Sequence, residues 1–515
     1  MTTPLVTIRL DAPGITAVPA EVADRFRREV ATAVTAVAGT LGLAIAPIVE
    51  LADSASDDVL VIVNGSRCRY PPDLAKNVHT YLTGFAAAEK FYGRLRSWIS
   101  AALDLQCGET ALAAEYLALL TVQAIEARAS VLLTAEPPAE SGGDDNEKAR
   151  CLTVQRRLLD LGLPAGDVDE IRAALRENDD VDDAAEQLIA ERAPDEWAVL
   201  VAPGYLRELS LADIADPGKV TRYFLGELAN DLPFPLPGLH LLSDPDLRDG
   251  CFRFRINKTT TVPILGVPAD RILLYGATPE QLAEQAPILD PIATYHGVLV
   301  LATGQEDLTA RGFLPCTPPV YLGINLDWAI RRRAGRLVNV ARVSAALEQL
   351  QRQRPAQVLM ARQRLRLATM TGILRALADE GLPTKDLPAI LDRMLEYDFR
   401  GQDAHIDRLA WTRSGMQEII GAAFSTGFRR IRIRELAPHT QASAVSWLAA
   451  GGTDDSVQED LLSALRAVAG ADVTVPVLVA DEARVATWLA ARGEFPDLRL
   501  LGATELPVDF TREEI

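Results

Sequence analysis

Five histidines (His79, His240, His296, His405, His439) and five cysteines (Cys68, Cys107, Cys151, Cys251, Cys316) are the residues of this 515-residue chain best suited to holding a metal or serving as a nucleophile. Zinc needs ligands that converge on one tetrahedral centre, which sequence shows as H-x-x-x-H, H-E-x-x-H or C-x-x-C spacing. None of these spacings occurs. Nor is there a G-x-x-x-x-G-K-[ST] loop to cradle phosphates or a G-x-S-x-G elbow for acyl transfer, and "GVLVLATG" from Gly297 lacks the third glycine of a dinucleotide fingerprint. Asp244 and Asp246 in "DPD" fall between two strand patterns, where aspartate serves turn formation, and His296 beside Tyr295 reads as a packed or surface histidine. The expectation is a chain without catalytic residues, cofactor or metal.

Binding to other macromolecules makes different demands. A formal net charge of -19 would on average repel a phosphate backbone, so nucleic acid is not an expected partner. The basic run "RRRAGR", Arg331 to Arg336, reads as a solvated helix face. Odd in number and widely spaced, the cysteines signal no disulfide framework and fit a reducing cytoplasm. The opening "MTTPLVTIRLDAPG" alternates like a strand and has no signal-peptide pattern. "VATAVTAVAGTLGLAIAPIV", Val30 to Val49, is uncharged over about the length of a membrane helix, but it contains Gly39, Gly42 and Pro47. It reads better as the end of a helix followed by a buried strand, and direct membrane insertion is not expected.

Such a chain needs elements that present protein-binding surfaces, and these elements recur. "GLPAGDVDEIRAAL" from Gly162 and "GLPTKDLPAILDRM" from Gly381 stand 219 positions apart, with Val154, Leu158 and Asp160 matching Ile373, Leu377 and Asp379 at the same offset. Leu387, Ile390, Leu391, Met394 and Leu395 have the spacing of one buried helix face. Gly381 is placed to end the preceding helix in a left-handed conformation, and Asp386 (matched by Asp167) or Thr384 to cap the next. Upstream, "LVTIRLD" and "WAVLVAP" are opening strands, each followed by an amphipathic helix ("PAEVADRFRREVATAVTAVAG", "GKVTRYFLGELAND") and by strand, acidic turn, strand. Ala149 to Glu191 alone would also suit a three-helix module of the ubiquitin-associated type. Beyond Phe424, strands and helices alternate as in a small α/β domain.

The second copy resembles the cytoplasmic region of the FHIPEP family, the export-gate protein of flagellar and virulence type III secretion. The likeness rests on "ILRALADEGLPTKDLPAILDRMLEY", "VPVLVADEARVATWLAARGEFPDLRLLGATELPVDF" and "ILDPIATYHGVLVLATGQEDLTARGF", in order along about residues 196 to 515. Two family motifs differ: "YLGINLDWAI", Tyr321 to Ile330, stands where the family has its "ATHL" helix, and "GRLVNVAR" replaces "GRQE". The family's N-terminal membrane helices have a second copy of the soluble region in their place.

The repeat implies a partial internal duplication, and the resemblance an α+β and α/β multidomain fold with small β-α-β subdomains and helical bundles. Its units run 1–135 (first-copy αβ), 136–148 (linker), 149–195 (first-copy helical), 196–345 (second-copy αβ subdomains), 346–423 (helical) and 424–515 (C-terminal α/β). The resemblance further implies a cytoplasmic docking protein that forms homo-oligomeric rings and receives export chaperones with their cargo, or other secretion components. By position, Ile324, Leu326 and Trp328 would line the docking cleft, with Gln357 across it; the residues themselves read more readily with Leu326 and Ile330 in the core and Trp328 beside it. The alternative is a regulatory or scaffold protein that reuses the fold outside secretion.

Overall fold

The computed structural model describes residues 6–11, 20–54, 58–70, 110–127, 145–178, 180–193, 197–209, 225–226, 231–236, 238–247, 249–257, 259–275, 287–289, 296–301, 315–397, 405–425, 429–450, 454–469, 475–495, 497–507 and 509–514. Outside them lie most of "GKVTRYFLGELAND", His79, Cys107 and the side chains of His296 and His405.

The N-terminal unit opens with β1 (Val6–Asp11), α1 (Ala20–Thr40), β2 (Ile48–Ala52), β3 (Asp58–Val63) and β4 (Ser66–Tyr70). β1 alternates buried and half-buried residues, placing Val6, Ile8 and Leu10 on the core face. The sheet runs β2-β1-β3-β4, with β1 parallel to β2 and antiparallel to β3. α1 buries Phe26, Val30, Val34 and Ala38 against α2 (Thr110–Ala127), and α3 (Asp145–Asp160), α4 (Val168–Glu177) and α5 (Val181–Arg192) complete the unit. Val30 to Val49 is therefore the end of α1, a turn and the start of β2. β2 is a sheet edge rather than a buried strand, and Ile48 is 47% exposed. Among the described residues no helix is long and apolar enough to cross a membrane. α3 begins at Asp145, so the linker drawn over 136–148 is helical in its last residues.

β5 (Trp197–Val201), β6 (Leu239–Ser243), β7 (Cys251–Ile256) and β8 (Thr259–Thr260) form a sheet in the order β6-β5-β7-β8, with β9 (Ile264–Leu265) beside β7. This is the pairing pattern of the first sheet, parallel β5/β6 and antiparallel β5/β7. Both closing hairpins turn on an asparagine of positive φ, Asn64 at 49° and Asn257 at 55°. The short helix α6 (Pro203–Glu208) follows β5, and a second small sheet runs β11-β12-β10-β13 (Pro287–Leu289, His296–Leu301, Arg271–Tyr275, Pro315–Cys316).

A helical block follows: α7 (Pro318–Arg331), α8 (Val340–Gln351), α9 (Pro355–Arg364), α10 (Leu367–Asp379), α11 (Leu387–Glu396), α12 (His405–Ser414) and α13 (Gln417–Phe424). Asn339 caps α8 by accepting from Arg342 N–H, so α8 starts at Val340 and a domain boundary at residue 345 cuts through it. The last domain is a parallel sheet, β16-β15-β14-β17 (Leu500–Gly502, Val477–Val479, Arg430–Glu435, Thr511–Glu514), covered by α14 (Pro438–Ala449), α15 (Asp455–Ala469) and α16 (Asp481–Ala491). α14 and β17 were not foreseen from the sequence. Trp447 and Leu461 sit at the centre of this domain's core.

Candidate partner-docking site

The repeated junction is built the same way twice. Gly162 (φ 65°) and Gly381 (φ 71°) take the left-handed conformation that L-residues avoid, and each ends its helix with paired backbone bonds. Leu163 N–H donates to Leu158 O at 2.8 Å, and Leu382 N–H to Leu377 O at 3.0 Å. Asp167 caps α4 through Glu170 N–H, and Asp386 caps α11 through Ala389 N–H. Between glycine and cap, the backbone is tied to the preceding subdomain: Ala165 N–H donates to Leu41 O and Thr384 N–H to Asp231 O. Thr384 is thus a buried tether, and the capping role belongs to Asp386.

In the second half this junction forms one wall of a groove of about 750 Å³. Pro383, Leu387 and Pro388 supply that wall; Ala346, Gln349 and Leu350 of α8 face it, and Ile419, Ala422 and Ala423 of α13 close the third side. Lys385 and Asp386 stand exposed at the rim. The short side chains of Ala346 on α8 and of Ala422 and Ala423 on α13 leave the space, with Pro383 and Pro388 on the facing wall. Apolar walls with a few charged groups at the mouth suit an apolar protein segment better than a reacting small molecule.

α13 is held from behind. A Cβ on Gly421 would meet Pro507 at 2.6 Å and Phe510 at 2.9 Å, so only glycine lets α13 lie this close to the C-terminal domain. Beside it, Arg413 and Arg484 share Glu380 and Glu505 in a buried cluster. Arg413 Nε and Nη2 reach Glu505 at 2.6 and 2.7 Å, Arg484 Nη1 reaches Glu380 at 2.5 Å, and Arg413 also pairs with Glu380. Burial alone would push the Glu505 carboxyl up, but the Arg413 hydrogen bonds and charge prevail and hold it below the usual glutamate value.

The four residues expected to line a cleft are not gathered at one place. Leu326 is 1% exposed and belongs to the main core, because it shares the inward face of α7 with Leu322 and Ile330. Ile324 is 37% exposed, on the outer face with Val320 one turn away. Trp328 is half-buried, with the Arg332 guanidinium 3.1 Å from its ring centroid and Arg332 in turn paired with Asp497. Gln357 faces α11, donating to Pro388 O at 2.7 Å and Asp392 Oδ1 at 2.6 Å, and so braces the groove wall. The basic run is not a solvated face either. Arg331 pairs with Asp327 and Asp231, Arg332 with Asp497, and buried Arg336 donates to Thr259. Acids far away in sequence convert the run into a domain tie.

Sequence reasoning missed the groove, although its signal was present in the paired prolines of the repeated junction and the small residues of "GAAF". Among the described residues no group of three or more His, Cys, Asp or Glu is placed to hold a metal.

Comparisons place this architecture. Residues 199–511 match the FHIPEP family model. No curated protein sequence matches the chain. Among solved structures it is similar to the CdsV protein of Chlamydia pneumoniae (18% identity, TM-score 0.53, 62% of this chain and 96% of that one), which has also been solved in complex with CdsO. The MxiA protein of Shigella flexneri and the nonameric SctV-C of EPEC each match at 14% identity and TM-score 0.50, over 62% of this chain and 97% of theirs. At these identities the likeness establishes the fold. With the family model covering more than half of its length, the chain belongs to the FHIPEP family and carries the fold of type III secretion export-gate cytoplasmic domains.

Proposed function

We propose that this protein is a non-enzymatic docking module that receives other proteins in the groove between α8, the α10–α11 junction and α13. The apolar groove with its charged rim carries the reading. Support also comes from relatives described as a complex with another protein and as a nonamer. By that analogy the chain works in the cytoplasm, assembles with copies of itself, and takes secretion components or chaperone-bound export substrates as partners. Ile324 and the accessible edge of Trp328 offer a second contact on α7. We further propose that the two halves arose by partial internal duplication, on the strength of their common strand order and junction geometry.

The test is substitution within the groove. Ala422 is exposed, so Ala422→Glu puts a charge into the groove without disturbing the core. A tagged wild-type chain purified from its host should retain a defined set of proteins that Ala422→Glu loses at an unchanged thermal transition. Retention of the same set by both, or turnover of a small molecule by the purified chain, would reject the docking role of the groove.

A further inference from the structure

The N-terminal unit sits on the FHIPEP unit through a contact made mostly of charge. At one end acidic α5 meets two arginines, one in α10 and one at its N-cap: Glu186 holds Arg375 through two bonds of 2.5 and 3.0 Å, and Asp180 pairs with Arg366. At the other end the signs reverse. Arg67 and Arg69 of β4 reach Glu459 of α15 at 3.3 and 3.2 Å, and Gln458 accepts from Arg67 N–H at 2.9 Å and Ser66 Oγ at 3.2 Å. A third tie joins Asp160 to Arg492 at 2.8 Å.

Apolar packing across the contact is slight. Among the described residues, Val262 is the one member of the FHIPEP unit in the N-terminal core cluster, and the main core cluster contains no residue before Trp197. Among the described residues no sheet is shared, since β1 to β4 pair among themselves. The unit can therefore leave its seat without tearing a sheet and with Val262 alone withdrawn from its core cluster among the described residues, as in the polar interfaces that let domains move. Exchange of a unit between copies across such a polar contact is a low-cost route to dimers.

The two-signed pattern also selects its occupant. The FHIPEP unit has the same strand order but lacks these charges. Next to its hairpin turn, Thr260 and Val262 stand where the N-terminal unit has Arg67 and Arg69, and its α12, "HIDRLAWTRS", has the single acid Asp407 against Asp182, Asp183, Glu186 and Glu191 in α5. A second FHIPEP unit does not complement the face, whereas the N-terminal unit of any copy does.

We propose that the α10–α15 face is a docking surface for the N-terminal unit of a second copy of this chain, the unit seated in cis being an exchangeable occupant. The proposal extends the self-assembly reading and does not depend on the groove. Closing in cis has an effective concentration on the order of mM, so the wild-type chain at µM concentration stays closed.

Complementation of full-length variants tests it. Glu186→Arg alone and Arg375→Glu alone each set like charges against one another, and hydrogen exchange in α5 should rise at least tenfold over wild type. In an equimolar mixture, exchange of N-terminal units creates two attractive pairs: the two substituted side chains face each other at one contact, and native Glu186 faces native Arg375 at the other. Light scattering should then show a heterodimer of twice the 55.7 kDa chain mass, with α5 protection restored. The double variant, Glu186→Arg with Arg375→Glu, should re-form the cis contact as a monomer. A mixture that remains monomeric with α5 still fast-exchanging overturns the proposal, as does a double variant with unrestored protection. Should either single variant fail to fold, Asp160→Arg and Arg492→Glu make the same comparison at a more exposed pair, read by exchange in α3.

Discussion

Replacing Glu505 by glutamine removes one negative charge from the cluster that joins the C-terminal domain to α10 and α12 and leaves its shape intact. Arg413 is 1% exposed and Glu505 3%, so water cannot take the place of the lost carboxylate. Two buried guanidinium groups are then left to Glu380 alone, and the amide can accept in one direction only where the carboxylate accepts from Arg413 and from Gly502 N–H. Breaking a buried ion pair by removing one partner costs about 3–5 kcal/mol. At about 1.4 kcal/mol per tenfold, opening of the C-terminal domain becomes on the order of a hundredfold or more easier. Because the chain has several domains, a single global melt would blur this effect. Amide hydrogen exchange of β14 to β16, followed by mass spectrometry, reads the local opening instead. Faster exchange there, with β1 to β4 unchanged, is expected. Exchange within threefold of wild type would refute the view that this cluster locks the domain and, behind it, the α13 wall of the groove.

Asp379 gives a pH signature. Burial raises its carboxyl to about 6, against the pull of the hydrogen bond from Gly335 N–H. A carboxyl with a folded pKa above its unfolded value opposes folding when ionised, so the penalty is absent below about pH 4, grows as pH rises to about 6 and is complete above it. Asp379→Asn keeps an acceptor for Gly335 and should stabilise the protein by roughly 1–3 kcal/mol at pH 7.5 and not at pH 4, measured by thermal melting; an equal shift at both would contradict this. Gly381→Ala meets no atom within 4 Å, so its cost should be the left-handed penalty alone, about 1–2 kcal/mol. Gly166→Ala should cost more in urea titration, because its Cβ would lie 2.1 Å from Gly42 O. Trp328→Ala, losing a half-buried ring and its stack with Arg332, should destabilise by about 1–3 kcal/mol, an outcome that a melt at an unchanged midpoint would rule out.

Local chemistry was legible in the sequence and distant pairing was not. Gly381 and Asp386 act within a few residues of themselves, so a left-handed helix end and a side-chain cap followed from residue type and spacing. The apolar face of α11 was equally visible, and its five spaced residues are the ones buried. The ties of Arg331 to Asp231 and of Arg332 to Asp497 were out of view because those acids lie 100 and 165 positions away, although Asp327, four positions before Arg331, was in view. Gln357 was assigned by position in a family motif, but the helix it sits on turns its amide toward Pro388 and Asp392. Leu326 and Ile330 were legible as core from their helical spacing, and both are buried. The groove needed three segments to converge, which no single window of sequence displays.

In-cell photocrosslinking tests the central claim that this fold grips proteins through its groove. A photoreactive residue at Ala422 should give discrete protein adducts identifiable by mass spectrometry, whereas the same probe at Glu348, exposed on α8 and not part of the groove lining, should give none of them. Equal adducts at both positions, or none at Ala422, would contradict it.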